Sequence, residues 1–169
     1  MNAQILEFAK KAKPTGRVID VGSYDVNGTF RSVVPVTIGV DMREGPAVDQ
    51  VCNAEDLLAT FGPESFDWVL SAEMLEHVRH WEPTLVNLWG ILKPEGRLLL
   101  TMASPRKGYH GYPHDYWRWP MERFIKIFAG NQIIASFDQG SSQGVVVIKT
   151  EPLDLTITPD KIVNPKGPK

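Results

Sequence analysis

The chain has 169 residues, 18 of them basic and 20 acidic, giving a formal net charge of −2 at neutral pH. That near balance removes any global electrostatic case for nucleic acid or an anionic membrane. The single cysteine, Cys52, excludes an intramolecular disulfide and a cysteine-built zinc cluster.

The length fits one domain, large enough to bury roughly 70% of its unfolded surface. Lys10, Lys11 and Lys13 are followed by no apolar run, and no stretch approaches the length that spans a bilayer, so the chain reads as a soluble cytoplasmic protein. In chain order, Asn2 to Lys13 carries Ile5, Leu6, Ala9 and Ala12 at helical spacing, and Pro14 ends it. Val18 to Val21 then reads as a buried strand that contains Asp20 and breaks at Gly22. Asn27 to Val34 offers only a short helix before Pro35, near the minimum for a parallel crossover. The next strand, Val36 to Val40, stops at Asp41, about 20 residues beyond Asp20, a spacing that nucleotide-binding α/β folds use for ribose recognition.

Ala47 to Cys52 is a weaker strand candidate, followed by Asn53-Ala54-Glu55-Asp56 and an amphipathic turn of Leu57, Leu58 and Phe61. Phe66 to Leu70 reads as a strand bounded by polar residues. Pro83 sits in the first turn of a helix whose core-facing stripe is Leu85, Val86, Leu88, Trp89 and Leu92. Pro94-Glu95-Gly96 reads as a turn and Arg97 to Met102 as a buried strand. A polar, aromatic-rich loop runs from Ala103 to Trp119. Pro120 opens a helix with Phe124, Ile125 and Phe128 on its apolar side and Gly130 at its C-terminal cap. Gln132 to Phe137 and Val145 to Lys149 form an expected antiparallel pair. Residues 151–169, with four prolines, read as an extended, loosely attached tail after a single domain at 1–150.

Strands alternating with helices imply a mostly parallel sheet covered on both faces, with ligands beyond the carboxyl ends of its strands. Gly22 lets the backbone approach a ligand, and the acids Asp20 and Asp41 favour ribose hydroxyls. Phosphate is disfavoured, because Tyr24 stands where a second glycine of the dinucleotide turn would fall and Asp25 adds negative charge. A positively charged nucleoside fits better.

The stretch Phe66 to Ser104, FDWVLSAEMLEHVRHWEPTLVNLWGILKPEGRLLLTMAS, resembles the class I S-adenosylmethionine-dependent methyltransferases, in their compact branch acting mostly on small molecules and glycans. The likeness spans Val18 to about Lys149, and the turn Leu92-Lys93-Pro94-Glu95-Gly96 is specific to the family. It implies a Rossmann-like seven-stranded α/β sheet, helices on both faces and the last strand antiparallel. The cofactor it implies is S-adenosyl-L-methionine, lined by Asp20, Gly22, Ser23 and Tyr24. Asp41 would accept both ribose hydroxyls, with Met42 at the adenine face. Asn53 and the Ala54 backbone would meet the adenine, and Ser71 would approach from the fourth strand. Tyr24 and Asn53 depart from a usual glycine and aspartate.

Methyl transfer needs placement above all, and a base where the acceptor is a hydroxyl. His114, His110 and Asp115, in a loop that closes over the acceptor pocket in this fold, are the candidates, with His114 foremost. The stretch His114 to Trp119 is similar to one in bacterial members of the branch. Tyr112, Tyr116, Trp117 and Trp119 read as a mixture of ring platform and loop anchor. His77 with His80, and His110 with His114, have spacings that could suit a metal on one helical face, but Gly111 and Pro113 break the second pair; Glu73, Glu76, His77 and His80 are left as a weak set, and no metal is assigned. The expected activity is methylation of a small-molecule or glycan oxygen or nitrogen, without nucleic acid or membrane; the alternative is a catalytically silent cofactor-binding subunit.

Overall fold

The computed structural model describes residues 2–111 and 114–161. Helix α1 (Ala3–Ala12) starts at Asn2, whose side chain accepts from the Ile5 amide at 3.0 Å, and ends at Lys13 in the left-handed region. The sheet strands are β1 (Val18–Val21), β2 (Ile38–Asp41), β3 (Gln50–Val51), β4 (Phe66–Ala72), β5 (Leu92–Ala103), β6 (Gln132–Gln139) and β7 (Ser142–Ile148). They pair in the order β3-β2-β1-β4-β5-β7-β6. The five strands β1 to β5 are mutually parallel, and β7 runs antiparallel to both β5 and β6. The expected seven-stranded α/β sheet with its last strand reversed is therefore the architecture of the molecule.

The central strands are apolar along their whole length because both of their faces are covered. Val18, Trp68, Leu70, Leu99 and Val146 pack with Ile5 and Ala9 of α1 and with Phe30 of the first crossover. Their chain neighbours Ile19, Val69, Leu98, Leu100, Val145 and Val147 point the other way. They meet α2 (Leu57–Phe61), α3 (Trp81–Gly90) and α4 (Met121–Phe124) through Leu57, Trp81, Leu85, Leu88 and Phe124. The β1–β2 crossover holds only a three-residue 3-10 turn, Phe30–Ser32.

Several expectations are corrected. Pro94-Glu95-Gly96 lies inside β5 rather than before it: Phe66 pairs with Leu92 but Trp68 pairs with Arg97, so the extra residues bulge out of the strand. Glu95 takes φ +62°, and its amide and the Gly96 carbonyl both bond Lys149. Val86 is 43% and Ile125 37% exposed, so neither faces the core. Ile127 is buried instead, because the helix tightens to 3-10 winding over Ile125–Phe128 and shifts the apolar phase.

The expected loose tail is also overturned as far as it is described. Leu153, Leu155 and Ile157 pack on the main core, Glu151 accepts a bond from Trp89 Nε1 at 3.2 Å, and the Asp154 amide bonds Ile127. Asp160–Lys161 then pairs antiparallel with Trp117–Arg118, giving the loop after β5 a regular element. Residues 162–169 lie outside the described residues. Ending the chain at Thr150 is expected to remove about 2–4 kcal/mol of packing and lower the melting temperature by about 5–15 °C in a calorimetric scan.

Candidate active site

Gly22 ends β1 at φ +82°, and a Cβ there would stand 2.9 Å from Met74 Cγ. The amides of Gly22 and Ser23 both donate to the Val40 carbonyl, at 2.9 and 3.0 Å, so the chain folds over the end of β2. Asp41 ties this loop to its own: Oδ2 accepts from the Tyr24 amide and Oδ1 from the Arg43 amide, each at 3.3 Å. The Arg43 guanidinium lies 4.0 Å from the centroid of the Tyr24 ring. That ring also lies against Gly45, where a Cβ would come within 2.1 Å. Tyr24 thus fills a slot that the neighbouring loop keeps open with a glycine.

Three buried polar side chains line the floor. Ser71, beside Val21 across the β1–β4 pairing, and Ser23 each carry a hydroxyl oxygen with no protein partner. Asp20 is 2% exposed, and burial pushes its carboxyl up to about 7, with Arg31 opposing and Asp41 reinforcing the rise. Asn53 uses its side-chain oxygen to cap the 3-10 turn Ala54–Asp56, accepting from the Glu55 amide at 3.1 Å. Met42 is 74% exposed at the mouth.

A second cluster sits at the carboxyl ends of β4 and β5. Glu73 takes φ +50°, and the turn Leu75–His77 follows it. Glu76 is buried: Oε1 accepts from the Ala103 amide at 3.1 Å, and Oε2 has no partner. Arg118, itself 5% exposed, organises the loop above. Its Nη1 and Nη2 donate to the two oxygens of buried Asp115 at 2.5 and 2.6 Å, and it also bonds the carbonyls of Lys107, Gly108 and Trp117. Asp115 in turn holds His110 through the amide and through Nδ1, both at 2.9 Å.

His110 Nδ1 sits between two groups: Asp115 Oδ2 at 2.9 Å accepts from it when it carries the proton, and Arg118 Nη2 at 3.1 Å donates to it when it does not. Nε2 lies 3.8 Å from Glu76 Oε1. Burial, and next the Lys107 charge, push His110 down to about 4, so the ring is neutral at physiological pH. Burial raises Glu73 and Glu76 to about 7, and for Glu73 the Glu76 charge adds to the rise. Lys107 Nζ donates to Glu73 at 3.3 Å. Although burial works to raise Asp115, the Arg118 bonds hold it below the usual carboxylate range.

Of the three expected catalytic residues, His110 and Asp115 are in contact. His114 is exposed, leans its ring on Tyr116, and enters the cluster only by its carbonyl, which accepts from His77 Nδ1. Trp119 is a core residue, edge-on to Trp81 at 4.9 Å, and not part of an open platform. Tyr112 lies outside the described residues. Sequence reasoning weighed Glu76 only as a weak metal ligand and left out Arg118. The visible signal was an acid three residues past the polar end of a buried strand, and an arginine inside a run of aromatic residues.

A family model described as a methyltransferase domain matches residues 1–139. No curated protein sequence matches the chain. Among solved structures, a Burkholderia thailandensis 1,6-didemethyltoxoflavin N1-methyltransferase, determined with its substrate and S-adenosylhomocysteine, superposes with a TM-score of 0.67 at 16% identity, covering 87% of this chain and 79% of that one. A Thermotoga maritima protein described as a possible histamine N-methyltransferase gives 0.68 at 20% identity, covering 86% and 88%. A putative S-adenosylmethionine-dependent methyltransferase from Listeria monocytogenes gives 0.66 at 14%, covering 88% and 98%. At these identities the likeness is one of fold.

The buried Asp20 gives a pH dependence whose sign follows from its raised value. Below the ordinary aspartate range it is neutral folded and unfolded alike; as pH rises to about 7 only the unfolded chain ionises it freely, so stability falls over that window. Asp20→Asn is therefore expected to be more stable than the wild-type protein at pH 8, by about 1–4 kcal/mol, with the gap closing near pH 4 in denaturant titrations.

Proposed function

The chain belongs to the class I S-adenosylmethionine-dependent methyltransferases, and on that premise we propose that it methylates a hydroxyl or amine of a small molecule or glycan, with His110 accepting the displaced proton. The residues at the end of β1 suit the cofactor, S-adenosyl-L-methionine. Acids without nearby glycine-cradled phosphate positions match a cationic nucleoside, and two buried hydroxyls without a protein partner, Ser23 and Ser71, stand at the ends of β1 and β4. In this reading Asp41 accepts the ribose hydroxyls, Met42 and the Tyr24–Arg43 stack wall the nucleoside, and Asp20 faces the positive end.

Bound there, the cofactor supplies an electrophilic methyl group on a positively charged sulfur. The chain's own residues do the rest. Glu76 and residues 107–111 and 114–118 would line the acceptor side and hold an acceptor lone pair toward that methyl group. The acceptor's proton passes to His110 Nε2. Asp115 keeps that nitrogen unprotonated by engaging the other one, and Arg118 fixes Asp115.

The observation that carries this reading is the chain Arg118–Asp115–His110: a buried, doubly bonded carboxylate orienting one neutral imidazole. Tyr116 and Trp117, whose rings lie 6.3 Å apart, offer apolar ring surface suited to a sugar or a small heterocycle.

Two measurements check the two halves. Asp41→Ala is expected to weaken S-adenosylhomocysteine binding by about 10- to 1,000-fold in calorimetry, the value of one or two charged hydrogen bonds. With an accepted substrate found by labelled-methyl screening, His110→Ala should lose about 100- to 10,000-fold in kcat at unchanged cofactor affinity, while His114→Ala stays within a few-fold of wild type. Equal losses at the two histidines would contradict the assignment.

A further inference from the structure

We propose that Glu76, His77 and His110 form a binding site for a divalent first-row transition-metal ion of the zinc class. One ring nitrogen of each histidine and a carboxylate oxygen of Glu76 lie within 4.8 Å of one another, although the residues come from a turn after β4 and a loop after β5. An ion bonded at about 2.0–2.2 Å draws such atoms to about 3.5 Å, so side-chain movements of about 1 Å would complete the site.

Three independent features prepare these groups as ligands. A metal-binding histidine characteristically gives its other N–H to a carboxylate or a backbone carbonyl, which fixes the tautomer and aims the ring. Both histidines have such a partner: His77 Nδ1 faces the His114 carbonyl, and His110 Nδ1 lies 2.9 Å from Asp115 Oδ2 with Arg118 Nη2 at 3.1 Å; in the tautomer that donates to Asp115, each Nε2 lone pair is available. The rings meet edge to face with centroids 4.9 Å apart. Glu76, 1% exposed, holds an oxygen with no protein partner.

Two cations stand close by: Lys107 bonds Glu73 and Arg118 bonds Asp115, and the charges of both bear on Glu76 and His110, although among the described residues no lysine or arginine hydrogen-bonds Glu76. Two imidazoles and one carboxylate, with a fourth position open, suit zinc, cobalt or ferrous iron over calcium or magnesium, which prefer oxygen donors.

Binding would have a consequence for the reaction. The ion and the acceptor's proton claim the same Nε2 lone pair, so the ion-loaded protein cannot use His110 as a base, and the ion acts as a reversible inhibitor. That consequence rests on the proton-accepting role proposed above; the binding itself does not.

The test is calorimetric titration of the full chain, freed of metal by chelation, with zinc chloride, alongside cobalt absorption spectra and S-adenosylhomocysteine titrations of the same preparations. One equivalent is expected to bind. His77→Ala and Glu76→Gln should each weaken it at least 10-fold and bleach the cobalt bands, His80→Ala should leave it unchanged, and S-adenosylhomocysteine affinity should be the same in all. The proposal is overturned if no zinc binds the wild-type protein, or if His77→Ala, folded by circular dichroism, binds zinc as the wild type does. Loss of S-adenosylhomocysteine binding in every preparation would instead sink the methyltransferase reading and leave the metal result standing.

Discussion

At Gly22 a single backbone position has to satisfy two elements at once. The chain leaving β1 turns through the left-handed region at φ +82°, where any other L-residue would be strained, and the turn after β4 packs on it closely enough for a Cβ to strike Met74. Because Val21 pairs with Ser71 in the same register, the β1 loop and the β4 turn rise from adjacent strand ends. The β1 loop reaches toward Asp41, and the β4 turn carries Glu73, Glu76 and His77. One side of the site therefore holds groups fit for a nucleoside, the other holds titratable groups fit for an acceptor, and a glycine is what lets them touch.

The acceptor side depends on a different interaction. Asp115 and Arg118 are both buried, and a buried charge left without its partner costs on the order of 3–5 kcal/mol. Arg118 also reaches the carbonyls of residues 107, 108 and 117 and His110 Nδ1, so the ion pair also sets the path of the loop. A short ribbon with Asp160–Lys161 pins the same segment from the far end of the chain. A loop built this way holds His110 in one orientation, which the proton-accepting role proposed for it would require.

The parallel core was legible in the sequence because strands covered on both faces are apolar throughout and are punctuated by glycine and proline. What escaped were features set by phase and by distant partners. The apolar residues of the helix after Pro120 had the right spacing but the wrong winding, which exchanged Ile125 for Ile127. Pro94 to Gly96 had turn chemistry, yet the pairing of β5 resumes around it, since Lys149 supplies the bonds that a bulge needs. Proline content in the tail spoke for a loosely attached chain, but Leu153, Leu155 and Ile157 dock on the core. In the site, the acids at the ends of β1 and β2 were readable from spacing. The choice of His110 over His114 was not, because it turns on which imidazole reaches a carboxylate that Arg118 has already fixed.

The proposed methyl transfer requires the cofactor to bind at the lip formed by β1, β2 and β4. Titrating S-adenosylhomocysteine into isotope-labelled protein and following its backbone amide resonances locates that position directly. The predicted result is saturable shifts at Gly22, Ser23, Asp41, Asn53 and Ser71, with Phe8, Ile134 and Phe137, which line a groove of about 520 Å³ between α1 and β6, unmoved. Shifts confined to that groove, or none at all, would contradict it.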